Sequence, residues 1–328
     1  MATLSGCQWD PPRDNPLDPG SNAYHYPFGS LKVHVRTLIE QPIADATVLL
    51  PELERFAVTD SNGLAEFEEI PTGTWWIVAY RNLSGSDVYA TDSAQVTITV
   101  KASSEMTMQL DGLPEIKTAY AYSVAFADSD TPIDPTYLIR LKSTVFDPDG
   151  VHHLLRVEAV LVDTLNDYSL AIDLRFNADS SFWWSDVPAD SFHNDKTDNA
   201  LFLPFTFRAF DAVGNASPPR TAFVARVLHG IVSLFNGSPP THLEWTYPSF
   251  NELSDPSTFN YHVRIYVDIP PLEEIYWRIV VPRPSASGEH DVDIHLPVGI
   301  YLWDVLVLDN FGNSTRSPRL SFTVDGSN

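Results

Sequence analysis

A single cysteine, Cys7, occurs in the whole chain, which excludes an internal disulfide framework, a thiolate metal cluster and a dithiol redox pair. Folding must therefore rest on buried apolar surface alone. Positive charge is scarce as well: 20 Lys and Arg face 43 Asp and Glu, a formal net charge of −23. A surface of that sign repels phosphate backbones and anionic headgroups, so no nucleic-acid partner is expected. No stretch of about 18 apolar residues runs free of charge, so no helical membrane span is expected and membrane contact is left to a lipid anchor. Sequence signs of common catalytic sites are missing too. There is no Gly-x-Ser-x-Gly elbow, no phosphate-cradling Gly-x-x-x-x-Gly-Lys-Ser/Thr, no Gly-x-Gly-x-x-Gly and no His-Glu-x-x-His. Carboxylate pairs for glycoside hydrolysis stay open, because their separation is set by the fold. The expectation is a protein that is not an enzyme.

What the chain does contain points to strands. Hydrophobic residues make up 44% and charged residues 19%, with 26 Pro, 18 Phe, 13 Tyr and 8 Trp. Aromatic strands punctuated by Pro- and Asp-rich turns read as all-β. A length of 328 residues allows two or three domains, each with its own core.

Leu4-Ser5-Gly6-Cys7 resembles the lipobox of bacterial lipoproteins, which makes Cys7 the expected lipid attachment point. Only Met1-Ala2-Thr3 stands upstream here, and the lipobox reading expects a charged and apolar leader before it, lost from the gene start or from this chain. Gln8 to Phe28 holds five prolines and no strand or helix period, and it reads as an extended tether closing a first segment at residues 1–29. Arg13-Asp14-Asn15-Pro16-Leu17-Asp18-Pro19 is similar to the opening of mature surface lipoproteins of Gram-negative bacteria. The alternative is an accidental cysteine in a disordered start.

Strict alternation begins at Ser30, with Leu31, Val33 and Val35 on one face and Lys32, His34 and Arg36 on the other. Asn62-Gly63, between Val58-Thr59-Asp60 and Leu64-Ala65-Glu66-Phe67, predicts a tight hairpin. Ala46-Thr47-Val48, Thr59-Asp60-Ser61-Asn62-Gly63 and Ile70-Pro71-Thr72-Gly73-Thr74-Trp75 together resemble the carboxypeptidase regulatory-like, transthyretin-like domain family, with Trp75 where that family has tyrosine. The resemblance implies a seven- or eight-stranded sandwich over residues 30–112, with a structural or adhesive role and no peptidase site.

Further along, Asp211-Ala212-Val213-Gly214-Asn215 recurs as Asp309-Asn310-Phe311-Gly312-Asn313, one immunoglobulin-sized sandwich later, and an apolar strand follows each copy. The repeat places one domain at residues 113–229 and another at 230–328. The second copy's surroundings, Leu243-Glu244-Trp245, Tyr261 to Val267 and Leu296 to Val305, resemble fibronectin type III modules, with Trp245 expected in the core. The domain before it is similar to immunoglobulin-like sandwiches, and its polar Asn177 to Ala200 stretch departs from that compact pattern. The predicted architecture is three tandem β-sandwich domains after an extended tether.

Candidate sites are few. Asp147-Pro148-Asp149-Gly150 offers two hard oxygen ligands on a turn, so Asp147 and Asp149 are the candidate calcium ligands, completed by Asp128, Asp130 or Asp134, or else plain turn formers. Calcium is the only cofactor these turns admit. Asp291, Asp293 and His295 share one strand face and could take a divalent cation; adjacent His152 and His153 point apart. Trp76, Trp183 and Trp184 are candidate glycan-stacking rings, the alternative being cover for an edge or joint. Leu302, Leu306 and Leu308 form an outward row on an otherwise core strand, awaiting cover from the same chain or from another subunit. The expected role is a non-catalytic, exported surface lipoprotein of the bacterial outer membrane or cell surface, working as an adhesive or scaffold spacer. A carbohydrate-binding accessory protein and a subunit of an extracellular filament joined by edge-strand pairing are the alternatives, with a surface glycan, a protein or a second copy as partner.

Overall fold

The computed structural model describes Ser21 and residues 27–83, 86–127, 135–236, 242–247, 259–267, 275–281, 286–291 and 296–325. Cys7, most of its tether, Asp128, Asp130, Asp134, Asp293 and His295 lie outside the described residues, as does the side chain of Asp291, and the last residues of the expected tether, from Phe28, already belong to the first strand. The chain is all-β, and its buried apolar residues gather in three clusters, Leu31 to Leu110, Ile116 to Val227 and Leu228 to Phe322. By contacts it forms two units. The first takes the described residues up to Pro114 together with Asp147–His153 and Asp211–Asn215; the second takes the remainder.

In the first unit, β1 (Phe28–Thr37), β4 (Leu64–Pro71) and β9 (Ser103–Leu110) form one sheet, with β1 central and parallel to β9. The second sheet runs β3 (Arg55–Val58), β2 (Thr47–Leu50), β5 (Gly73–Tyr80), β8 (Asp92–Ile98), and β6 (Asn82–Leu83) pairs with β7 (Ser86–Asp87). Period-two alternation turns Leu31, Val33 and Val35 fully inward against Val48, Leu50 and Ile77. Each such side chain removed from water contributes about 1.5–3 kcal/mol.

The Asn62-Gly63 turn differs from the expected hairpin. Gly63 takes φ +74 and Asp60 Oδ1 accepts the Asn62 and Leu64 amides at 2.8 and 2.9 Å, so the turn itself forms. Its two flanking strands nevertheless belong to opposite sheets, β3 pairing with β2 and β4 with β1. The Thr59 hydroxyl explains the crossover: it is buried, donates to the Ile43 carbonyl at 2.7 Å and accepts the Ala46 amide at 2.8 Å, pinning the chain where it changes layer.

The second unit begins with β10 (Glu115–Phe126), β11 (Thr136–Phe146), β12 (Leu154–Asp163), β13 (Tyr168–Asn177), β14 (Phe182–Pro188), β15 (Pro204–Asp211) and β16 (Arg220–Phe223). Strand β13 changes partner along its length, pairing with β12 from Tyr168 to Leu174 and with β14 from Arg175 to Asn177. It thereby joins two layers around Leu141, Leu161, Phe205 and Phe207. The polar stretch that departed from a compact pattern is β14 followed by three short 3₁₀ turns between Ala189 and Ala200.

The unit continues with β17 (Ser233–Asn236), β18 (His242–Thr246), β19 (Phe259–Val267), β20 (Ile275–Val281), β21 (Ser287–Asp291), β22 (Gly299–Asp309), β23 (Ser314–Arg316) and β24 (Leu320–Val324). The sheet β17-β18-β21 faces β20-β19-β22, whose far side carries β23 and β24. Trp245 is 1% exposed and meets Tyr261 edge-on, with ring centroids 5.6 Å apart. Parallel pairing of β10 with β23 makes the sheets of the second and third clusters continuous.

Candidate functional site

Short loops with aspartate at their first position build a carboxylate-rich site in the first unit. A side-chain oxygen one or two atoms from the backbone competes for the amides that follow it, so Asp fixes such turns locally. Asp211 ends β15 and its Oδ1 accepts the amides of Val213, Gly214 and Asn215 at 3.0, 2.7 and 2.8 Å. Asp147 does the same for Asp149, whose amide reaches Asp147 Oδ1 at 2.8 Å. The two loops meet where the Ala212 amide donates to the His153 carbonyl at 2.8 Å.

Asp149 is 3% exposed and binds with both oxygens, Oδ1 accepting the Leu38 amide at 3.0 Å and Oδ2 the Gly112 amide at 2.6 Å. Gly112 is required there: a Cβ would lie 2.8 Å from the Pro148 ring. That approach brings in Asp111, whose Oδ2 accepts the side-chain amide of Asn215. Four carboxylates thus share one site. The Asp111 carboxyl is pushed up to about 6, first by burial and then by the charges of Asp211 and Asp149, with Asn215 pulling the other way. Burial also raises Asp147, helped by Asp149 and Asp211 and opposed by the Asp149 amide. Asp147 Oδ2 and Asp211 Oδ2 are buried without any hydrogen-bond partner. Among the described residues, no three His, Cys, Asp or Glu side chains already stand in a metal-holding arrangement.

The second copy of the turn solves the same problem differently. Asp309 Oδ1 accepts the amides of Phe311 and Asn313 at 2.9 and 2.8 Å, as Asp211 Oδ1 does for its own turn. Its Oδ2 accepts the Asn313 side-chain amide at 2.8 Å and lies 3.8 Å from the Arg226 guanidinium.

Sequence reading had offered Asp147 and Asp149 as calcium ligands or else plain turn formers, and had not named Asp111 or Asp211 beside them. Asp211 was visible only as a turn former, and Asp111 had no signal beyond its charge. Of the tryptophans, Trp76 is 47% exposed, whereas Trp183 is buried against Phe176 and offers no face for stacking. Trp184 is half-buried beneath Arg140, whose guanidinium sits 5.3 Å from the ring while gripping Asp186 with two bonds of 2.6 Å. Trp76 shares its outward face with Phe56, Leu49 and Val78, the last three being direct cross-strand neighbours. Leu302, Leu306 and Leu308 are half-buried, because β22 is central in its sheet and Tyr266, His262 and Asn260 stand directly opposite them on β19. Asp304 takes the fourth place in that row, fully buried and held by Arg264 at 2.6 and 2.9 Å and by the Tyr266 hydroxyl at 3.1 Å.

No protein-family model matches the sequence, and no curated protein matches it. Solved structures similar to the chain include the Bacillus anthracis TIE protein (9% identity, 91% of this chain and 48% of that one, TM-score 0.26). A tetra-tandem repeat from the extending region of a large adhesion protein follows (12% identity, 88% and 69%, TM-score 0.25), as do chicken CNTN1 FN1–FN3 domains (10% identity, 87% and 92%, TM-score 0.30). The chain spans about half the length of the first of these. Likeness at this level bears on neither function nor partner.

Proposed function

We propose that the chain is a non-catalytic, exported surface protein whose sandwiches serve as an adhesive or scaffold spacer, anchored through a lipid on Cys7. One observation carries the spacer reading: the second and third apolar clusters share a continuous sheet. Val124, Ala125 and Phe126 of β10 pair in parallel with Ser314, Thr315 and Arg316 of β23. The Thr315 hydroxyl donates to the Gly230 carbonyl at 2.7 Å, and the Leu228 amide to the Ser123 hydroxyl at 3.3 Å. Bending at such a joint requires breaking backbone hydrogen bonds in a dry environment, which suits a part that transmits load. No helix among the described residues is long and apolar enough to cross a membrane; in this reading the lipid on Cys7 holds the chain at a surface.

A second reading, carbohydrate binding, is favoured by the outer face of β3-β2-β5. Phe56 is 69% and Trp76 47% exposed there, and flat rings in water stack on sugar faces. The purified protein is to be screened on a glycan array, for self-association by light scattering and against a panel of hydrolase substrates. Binding without turnover, lost in Phe56→Ser/Trp76→Ser at unchanged melting temperature, supports a binding surface on this sheet. Self-association or surface adhesion without glycan binding supports the spacer alone. Turnover that scales with enzyme purity overturns both.

A further inference from the structure

A carboxylate oxygen buried without a donor costs stability, and several carboxylates in one site cost more. The first unit carries that cost twice over. Asp147 is 6% and Asp211 1% exposed, each with an Oδ2 that nothing satisfies, and the charges that act most strongly on Asp111 are those of Asp211, Asp149 and Asp147. The other copy of the turn shows what is missing. Asp309 Oδ2 has the Asn313 amide and the Arg226 guanidinium; Asp211 Oδ2 has neither, Asn215 giving its amide to Asp111, and the charges that Asp211 acts on are those of Asp111 and Asp147. One copy sets a cation beside its second oxygen, and the other leaves that oxygen without a partner.

We propose that Asp111, Asp147 and Asp211 bind one calcium ion, with Asp149 as the positioning residue that ties Gly112, and so Asp111, to the Asp147 loop. The bare Oδ2 atoms of Asp147 and Asp211 are two ligands. The third is the half-buried Asp111 side chain, which must rotate inward, since these groups do not yet converge on one point. Calcium fits because all donors are hard oxygens and its coordination tolerates irregular geometry, whereas magnesium demands near-ideal octahedra and zinc favours nitrogen or sulfur. Asn215 keeps its amide on Asp111 until the ion arrives.

The test is thermal unfolding of the chelator-stripped full chain with and without 5 mM calcium, repeated on Asp147→Asn/Asp211→Asn. Asparagine keeps the Oδ1 acceptors that close both turns, so the variant loses charge and keeps its loops. Calcium is expected to raise the melting temperature of the wild type's first unit on the order of 5–10 °C, with one ion bound per chain by calorimetry. The double variant should melt, calcium-free, at or above the wild type and ignore the ion. Asp309→Asn should retain the full response. A wild type that ignores calcium, a shift that survives in the double variant, or an equal shift with 5 mM magnesium overturns the proposal. Should the variant fail to fold, terbium on the wild type decides: luminescence sensitised through Tyr89, which pairs with Gly112, must be quenched by calcium. Terbium that calcium does not displace refutes the site.

Discussion

The backbone amide of Ser123 donates to Asn313 Oδ1 at 2.8 Å, a buried bond spanning 190 positions of sequence. Asn313 also returns its amide to Asp309 and continues into β23, so one side chain closes the turn and secures β10 beside it. Removing it leaves a buried amide without an acceptor, at a cost of about 1–3 kcal/mol. Asn313→Ala is therefore expected to lower the midpoint of the second unit's denaturant unfolding while leaving that of the first unit in place. Equal stability of variant and wild type would mean that the bond carries no net energy.

The continuous sheet bears on where the chain can be cut. Residues 115–328 should unfold in one calorimetric transition, and residues 113–229 and 230–328 made separately should each be less stable than they are together, because β10 and β23 lose each other. Residues 30–112 should fold but melt below their value in the whole chain, since the Leu38 and Gly112 amides lose Asp149. Two well-separated transitions for 115–328 would count against the shared sheet.

Gly288 stands directly opposite Trp245 across β18 and β21, and a Cβ there would lie 2.4 Å from Trp245 Cζ2. The indole is buried, so it has nowhere to move. Gly288→Ala is expected to destabilise by about 1–3 kcal/mol through overpacking, and Trp245→Ala by about 3–5 kcal/mol through the cavity it leaves. Chemical denaturation of 115–328 measures both. A neutral Gly288→Ala would show that the strands can part there.

His262 faces Arg264 on its own strand and Arg278 on β20, with Leu306 and Val280 as cross-strand neighbours and Arg316 beyond Leu306. Burial first, and then the charges of Arg278 and Arg264, hold its pKa below the ordinary histidine value. The folded state therefore resists protonation that the unfolded state accepts. Its contribution is complete above pH about 6.5 and is lost as pH falls from there through the lowered folded value. His262→Gln is expected to flatten the fall in melting temperature between about pH 7 and 5. An unchanged slope would locate the acid sensitivity elsewhere.

The all-β class was legible because its cause is local. Alternation at Leu31 to Arg36 needs only the two-residue period of a strand, and the Asp-x-x-Gly-Asn repeat needs only a carboxylate within reach of the amides that follow it. Trp245 was recognisable as a core residue, and Asp147 and Asp149 as a turn with ligand chemistry. Asn62-Gly63 shows where that reach ends. The turn formed as its residues dictate, yet whether its strands pair or cross to the opposite layer depended on Thr59 finding Ile43 and Ala46.

The charged site divides the same way. Sequence alone determined that Asp211 and Asp309 each close a turn, since the acceptor and the amides it binds lie within four residues. Tertiary structure decided what each second oxygen meets. Arg226 stands near Asp309, and the carboxylates of Asp111 and Asp147 near Asp211, because of strands distant in sequence. Coulomb energies depend on distance and burial, neither of which a shared Asp-x-x-Gly-Asn motif can encode.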